Sequence, residues 1–262
     1  MTIHLSVLGI GVLGPGLADW AAALPLLQDP SRWVHAATVV PPPNRLPPTE
    51  RRRAGAVVKA SIVVADQALA NSVLDATTLP TVFTSSTGDP ANCHLLCEAL
   101  AAPERLVSPT RFTNSVHNAP AGYWHIAAHS QAPSTSLAAF DASFAAGLVE
   151  AAVQCVSTGA PVLLVACDVP YPEPLHAVRP VADVFAMALV LAPAGTGRRL
   201  QVELSADANG TACSTEALDS VRLGIPAARA LPLLQALAQT GAGEVVVEGL
   251  SGQSLRVGVA AA

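Results

Sequence analysis

Apolar and polar positions change period several times along this chain, and each change marks an element. Residues 3–9, IHLSVLG, alternate and then run apolar, as a strand does. Gly9, Gly11, Gly14, Pro15 and Gly16 then predict a tight loop, followed by a helix in LADWAAALPLL. Five prolines between Val39 and Pro48 predict an extended surface segment, because proline offers no amide donor and disfavours helix at the residue before it. From Thr49 to Ser72 apolar positions recur at helical spacing, with Thr49 as the N-cap of one continuous helix.

Further along, Thr81–Ser85 predicts a short buried strand and Asn92–Leu100 a short helix. Residues 108–133 read as a loop, too polar and turn-rich for a core element. Ser143–Ser157 is small, apolar and helical, with only Glu150 and Gln154 strongly polar, so this helix is expected to be buried on most faces. PVLLVAC at 161–167 and FAMALVL at 185–191 predict central strands. Strands at 199–204, 244–248 and 254–259 and a helix at 225–239 complete the chain. Alternating elements with continuously apolar strands predict an α/β fold, a sheet covered by helices.

Composition adds a partner. Of 262 residues, 51% are apolar and 13% charged, so much of the chain is expected to be buried within the fold or against another subunit. The net charge is −5 and no basic run exceeds Arg51–Arg53, which argues against nucleic acid. Five cysteines, an odd number, read as reduced thiols. The opening MTIHLSVLGIGVLGPG has no basic leader and is broken by glycines, and no apolar run reaches spanning length. A soluble, cytoplasmic protein with no membrane span is the expectation.

Three segments in order carry a resemblance: VLGIGVLGPG at 7–16, ERRRAGAVVKASIVVADQAL at 50–69, and the block 108–168, with Pro133-Ser134, Gly159 and Leu163–Asp168 at matching places. Together they resemble the amino-terminal half of β-ketoacyl synthases, over roughly the first 195 residues. SVHNAPAGYW and DASFAAGL look closest to the short chain-length-factor-like proteins of aryl polyene and xanthomonadin-type pigment clusters. The resemblance implies a thiolase-like fold, an amino-terminal half at residues 1–195 and a reduced carboxy-terminal remnant at 196–262 packed on the same domain. It also implies association with a ketosynthase or a second copy, and contact with an acyl carrier protein.

In that family a cysteine at the start of the buried helix attacks the acyl thioester, its thiolate favoured by the helix dipole. Spacing back from Gly159 puts the equivalent position at Ala142, and none of Asp141, Ala142, Ser143 or Phe144 is a cysteine. Nor is there a glutamine, the substitution typical of chain-length factors in type II polyketide systems. The family's two catalytic histidines come from its carboxy-terminal half, and here no histidine follows His176. A non-catalytic subunit that supports a partner ketosynthase is therefore the expectation, with Asn118, Ala142 and Phe144 as candidate binding positions.

A hydrolytic alternative stays open, since His117, Asp141 and Ser143 supply the residue types of a triad for an acyl-thioester hydrolase or acyltransferase. No Gly-x-Ser-x-Gly surrounds Ser143, and Asp141 with Ser143 also reads as a helix cap. Cys93-His94-x-x-Cys97 has no second pair to complete a metal site, and His125 with His129 has no carboxylate partner. GIGVLGPG lacks the spacing of a dinucleotide loop. Neither metal nor cofactor is expected.

Overall fold

The computed structural model describes residues 2–70, 72–193, 197–206, 209–250 and 252–262. The expected boundary between residues 195 and 196 falls outside them. The elements run β1 (Thr2–Leu13), α1 (Trp20–Gln28), α2 (Pro48–Arg53), α3 (Ala56–Ala70), β2 (Thr81–Thr84), α4 (Pro90–Ala101), α5 (Pro109–Thr113), α6 (Ala119–Ala128) and β3 (Ser134–Leu137). Then come α7 (Ser143–Thr158), β4 (Val162–Asp168), α8 (Leu175–Val178), β5 (Phe185–Pro193), β6 (Arg198–Ser205), α9 (Glu216–Gly224), a 3-10 segment Pro226–Ala230, α10 (Leu231–Ala238), β7 (Gly243–Glu248) and β8 (Ser254–Val259).

All eight described strands lie in one sheet of order β3-β2-β4-β5-β1-β6-β8-β7. The β2–β3 and β2–β4 pairs are parallel, and the rest, from β4–β5 outward to β7–β8, are antiparallel. Strands β6, β8 and β7 thus extend the first sheet beyond β1, and no second sheet forms among the described residues. Side-chain alternation sorts the central strands between two cores. Val162, Leu164, Met187 and Leu189 face α1, α7, α9 and α10, while Leu163, Val165, Ala188 and Val190 face α3 and α6.

The glycines after Leu8 do not end the first strand, as the sequence suggested. Gly9 and Gly11 lie within β1, where α3 crosses it, and Gly14 and Gly16 follow its end. A Cβ on Gly9 would sit 1.9 Å from the carbonyl oxygen of Ala68, and one on Gly11 2.0 Å from that of Val64. Their purpose is close helix–strand approach.

The helix expected from Thr49 to Ser72 is broken. Pro47 takes the N-cap position, α2 ends at Ala54, and α3 begins after Gly55, where any side chain would meet the Asp89 carboxylate at 2.1 Å. The 108–133 segment is also corrected. It contains α5 and α6: Pro120 stands in the first turn of α6 and His129 closes it at a φ of 52°, while packing against α3 buries Trp124 completely and Tyr123 nearly so. The predicted 225–239 helix starts with the 3-10 turn, since Pro226 and Pro232 each remove an amide donor. Finally, α7 is buried along one side only, leaving Val153 42% and Val156 50% exposed.

Candidate functional site

The chain enters α7 through a tight turn. Phe140 holds a left-handed φ of 51°, the Ala142 amide donates to the Ala139 carbonyl at 2.9 Å, and Gly159 closes the far end of the helix at a φ of 67°. Ala142 is the N-cap residue, Ser143 the first helical residue and Phe144 the second. Gly147 lets the helix lie flush on β2, since a Cβ there would come within 2.7 Å of the Thr84 methyl. Thr84 Oγ1 donates to the Ser143 carbonyl at 2.7 Å and ties the two elements.

Ser143 is buried and its hydroxyl is spent on the turn. It donates to the Phe140 carbonyl at 2.7 Å and accepts from the Ala139 amide at 3.0 Å. A serine hydroxyl has one proton, and this one already lies on a backbone oxygen. Phe144 is fully enclosed in the core, whereas Ala142 borders a cleft.

His117 is held elsewhere, while Asp141 stays on the same turn and pairs away from Ser143. His117 Nε2 lies 3.1 Å from the Ser85 carbonyl, just before α6, which packs on the α3 side of the sheet. Asn118, exposed at the N-cap of α6, uses its carbonyl to accept from the Gly122 amide and makes no side-chain cap. Asp141 accepts from Arg179 Nη2 at 2.7 Å and lies 3.6 Å from Arg229 Nη2. No hydrogen bond joins any two of Ser143, His117 and Asp141, so the structure brings Asp141 and Ser143 to one turn and leaves His117 across the sheet.

Around Asp141 a chain of charges appears that no local sequence pattern announced. The Arg179 guanidinium stacks 3.7 Å above the Phe140 ring and donates to Ser86 Oγ at 2.8 Å. Arg229 also pairs with Glu248, and Glu248 accepts from Arg222 at 3.1 Å, which in turn pairs with Asp219. Burial holds Arg229 below the ordinary arginine value, and Asp141 opposes that shift while Arg222 and Arg179 add to it.

The cysteines supply no substitute nucleophile at this turn. Cys155, Cys167 and Cys213 are buried, and burial pushes Cys155 up to about 11, Cys213 up to about 12 and Cys167 further upward. Asp168, at the end of β4, is also buried. Its Oδ1 accepts from Ser85 Oγ, the Ser86 and Thr87 amides and Thr87 Oγ1, while Oδ2 has no partner, and burial raises its carboxyl. That acid fastens the loop after β2 to β4.

Between α7 and the β7–β8 turn runs an apolar cleft of about 510 Å³. Ala142, Ala145, Ala146 and Val149 form one wall, and Leu250 and Leu255 stand on the other. Among the described residues no cluster of three or more His, Cys, Asp or Glu is placed to hold a metal ion, and no helix is long and apolar enough to cross a membrane.

The sequence matches the profile of the family described as Beta-ketoacyl synthase, N-terminal domain, over residues 27–245. No curated protein matches it. Among solved structures, the ketosynthase ApeO in complex with its chain length factor ApeC from Xenorhabdus doucetiae aligns with a TM-score of 0.74 at 22% identity, covering 97% of this chain and 98% of that one. The ishigamide ketosynthase/chain length factor aligns at 0.71 and 12% identity over 98% and 99%. A type II polyketide synthase acyl-carrier protein in complex with its ketosynthase, bound to the hexaketide, aligns at 0.73 and 13% over all of both chains. At these identities the likeness is one of fold, the thiolase-like α/β fold of ketosynthases. With the profile spanning most of its length, the chain belongs to the β-ketoacyl synthase N-terminal domain family.

Proposed function

We propose that this chain is a non-catalytic, chain-length-factor-like subunit that supports a partner ketosynthase in building fatty-acid- or polyketide-type chains of the aryl polyene kind. The observation that carries the reading is the start of α7, where Ala142, Ser143 and Phe144 offer no thiol and the one hydroxyl is locked to the backbone. The structural neighbours that are ketosynthase and chain-length-factor complexes support it, and a neighbour solved with an acyl carrier protein supports contact with such a carrier.

Association is assigned to the β3 end of the sheet. Strand β3 is an edge, and its sequence STSL carries neither charge nor proline, the usual protections of a free edge. Beside it, Gln154 of α7 donates to Thr135 Oγ1, and Val153 and Val156 lie open on the same helix. Residues 1–195 supply this face in our reading, and 196–262 form a remnant packed on the same domain.

Co-expression with a candidate partner ketosynthase of the aryl polyene kind, followed by gel filtration, tests the reading. One co-eluting species is expected, and Val153→Glu is expected to separate it into two while each subunit stays folded. Two independent peaks for the unaltered pair would overturn the proposal. The rival hydrolase or acyltransferase, using Ser143 with His117, predicts a covalent adduct from acyl carrier protein thioesters that Ser143→Ala abolishes. We expect no adduct by intact-mass measurement.

A further inference from the structure

Helix α4 carries two of the chain's five cysteines, and they are the two that are exposed. Cys93 and Cys97 stand four residues apart, so the helix turns about once between them and both thiols leave the same face, about 6 Å apart along the axis. On such a face the two Cβ atoms lie about 5–6 Å from each other. The sulfurs meet across that gap. Partial burial raises the Cys93 thiol above its ordinary value, and the charge of Cys97 and a hydrogen bond between the two raise it further, with Asp89 adding to the shift.

Little ties this helix to the core. Of its residues only Pro90 is buried. Asp89 caps it by accepting from the Asn92 amide at 3.1 Å, and Asn92 Nδ2 donates to the Arg111 carbonyl at 2.8 Å. His94 is occupied by Glu98 at 3.3 Å, and among the described residues no third His, Cys, Asp or Glu joins the two thiols in a group able to hold a metal ion. A four-ligand zinc site is therefore not formed.

Two occupants remain for a pair of facing thiols, and helix geometry separates them. A disulfide needs Cβ atoms about 3.5–4.5 Å apart and sulfurs at about 2.0 Å, so closing one here would open the turn. An ion between two thiolates needs no such closure, because metal–sulfur bonds of about 2.3 Å on opposite sides of the ion space the sulfurs about 4.6 Å apart. Soft thiolates select copper(I), a closed-shell ion stable with two ligands.

We infer that Cys93 and Cys97 form a two-thiolate site for one copper(I) ion, which bridges successive turns of α4 and stiffens it. Binding is ligand substitution with no change of oxidation state. Each thiol gives its proton to solvent and a sulfur electron pair to copper, so two S–H bonds break as two Cu–S bonds form. The site is separate from the α7 turn, and the inference holds whether or not the chain pairs with a ketosynthase.

The test adds copper(I), supplied anaerobically as its bathocuproine disulfonate complex, to the reduced full chain and follows loss of the complex's absorbance. One copper per chain is expected to transfer, to protect both Cys93 and Cys97 from iodoacetamide, and to slow hydrogen exchange across α4. Cys93→Ser and Cys97→Ser should each abolish transfer, and both positions are exposed, so the fold is expected to survive. Adding Leu95→Cys to Cys97→Ser moves the second thiol to a different face of the helix and should not restore binding.

No transfer to the unaltered protein, or transfer that persists in either serine variant, overturns the site. Restoration by Leu95→Cys overturns the bridge, since the thiols would then act independently of their spacing. Unchanged exchange in α4 on loading removes the stiffening. If mild peroxide joins Cys93 to Cys97 as a disulfide while exchange in α4 stays unchanged, the sulfurs meet without opening the helix and the choice of an ion over a disulfide is overturned.

Discussion

At the scale of single residues, the site is defined by groups that are already occupied. Ser143 spends its proton on the Phe140 carbonyl, and His117 Nε2 rests on the Ser85 carbonyl, so each of the two side chains already has a backbone partner. The thiols make the same point in a measurable way. Cys93 and Cys97 are exposed on α4, while Cys155, Cys167 and Cys213 are buried with their thiols held in the protonated form. Iodoacetamide at neutral pH should therefore label the first two in the folded protein and all five after denaturation, as read by peptide mass. Rapid native labelling of Cys213 would contradict this. Asp168 gives a pH dependence with a definite sign. Burial holds its carboxyl above the ordinary 3.8, so the folded state keeps this proton more tightly than the unfolded state does. The stability it contributes is present at acid pH and is lost as pH rises from the ordinary carboxyl range through the raised folded value. Urea unfolding at stepped pH should show the unaltered protein losing stability relative to Asp168→Asn across that window. Asp66 and Asp89, also raised by burial, cancel in the comparison.

At the scale of elements, small residues set how closely helices approach the sheet. Period and breakers made most strands legible, and β8 runs from 254 to 259 as the alternation predicts. The same breakers misled at β1, because a glycine that permits a turn and a glycine that admits a helix backbone look alike in sequence. Its neighbours Val64 and Ala68 become relevant only when α3 is laid across it. The two uses separate by substitution. Gly11→Ala should cost about 2–3 kcal/mol or prevent folding, since the added methyl meets backbone. Gly159→Ala, with nothing within 4 Å, should cost only about 1 kcal/mol for the left-handed conformation. Thermal unfolding of both variants checks the contrast. Helix α6 was hidden for a related reason: its ten residues follow a polar run, and the burial of Trp124 comes from packing against α3.

At the scale of the whole molecule, the last strands are part of the first core. Leu200, Val202 and Val257 share a cluster with Phe144 and Leu148 of α7, and β6 covers what would otherwise be a long open edge on β1. A chain ended after Pro193 should therefore lose its cooperative thermal transition and bind apolar dye, and a sharp native-like transition in that fragment would contradict the shared core. The sequence by itself determined the α/β class, every described strand except β3, the helix at 143–157 and the absence of a thiol at its start, because period and residue identity are local properties. Only the tertiary structure decided that residues 198–259 extend one sheet, that His117 lies across it from Ser143, and that Arg229 joins Asp141 to Glu248. Those facts depend on long-range pairing and on charges separated by many residues in the chain, which no local pattern of apolar and polar positions encodes.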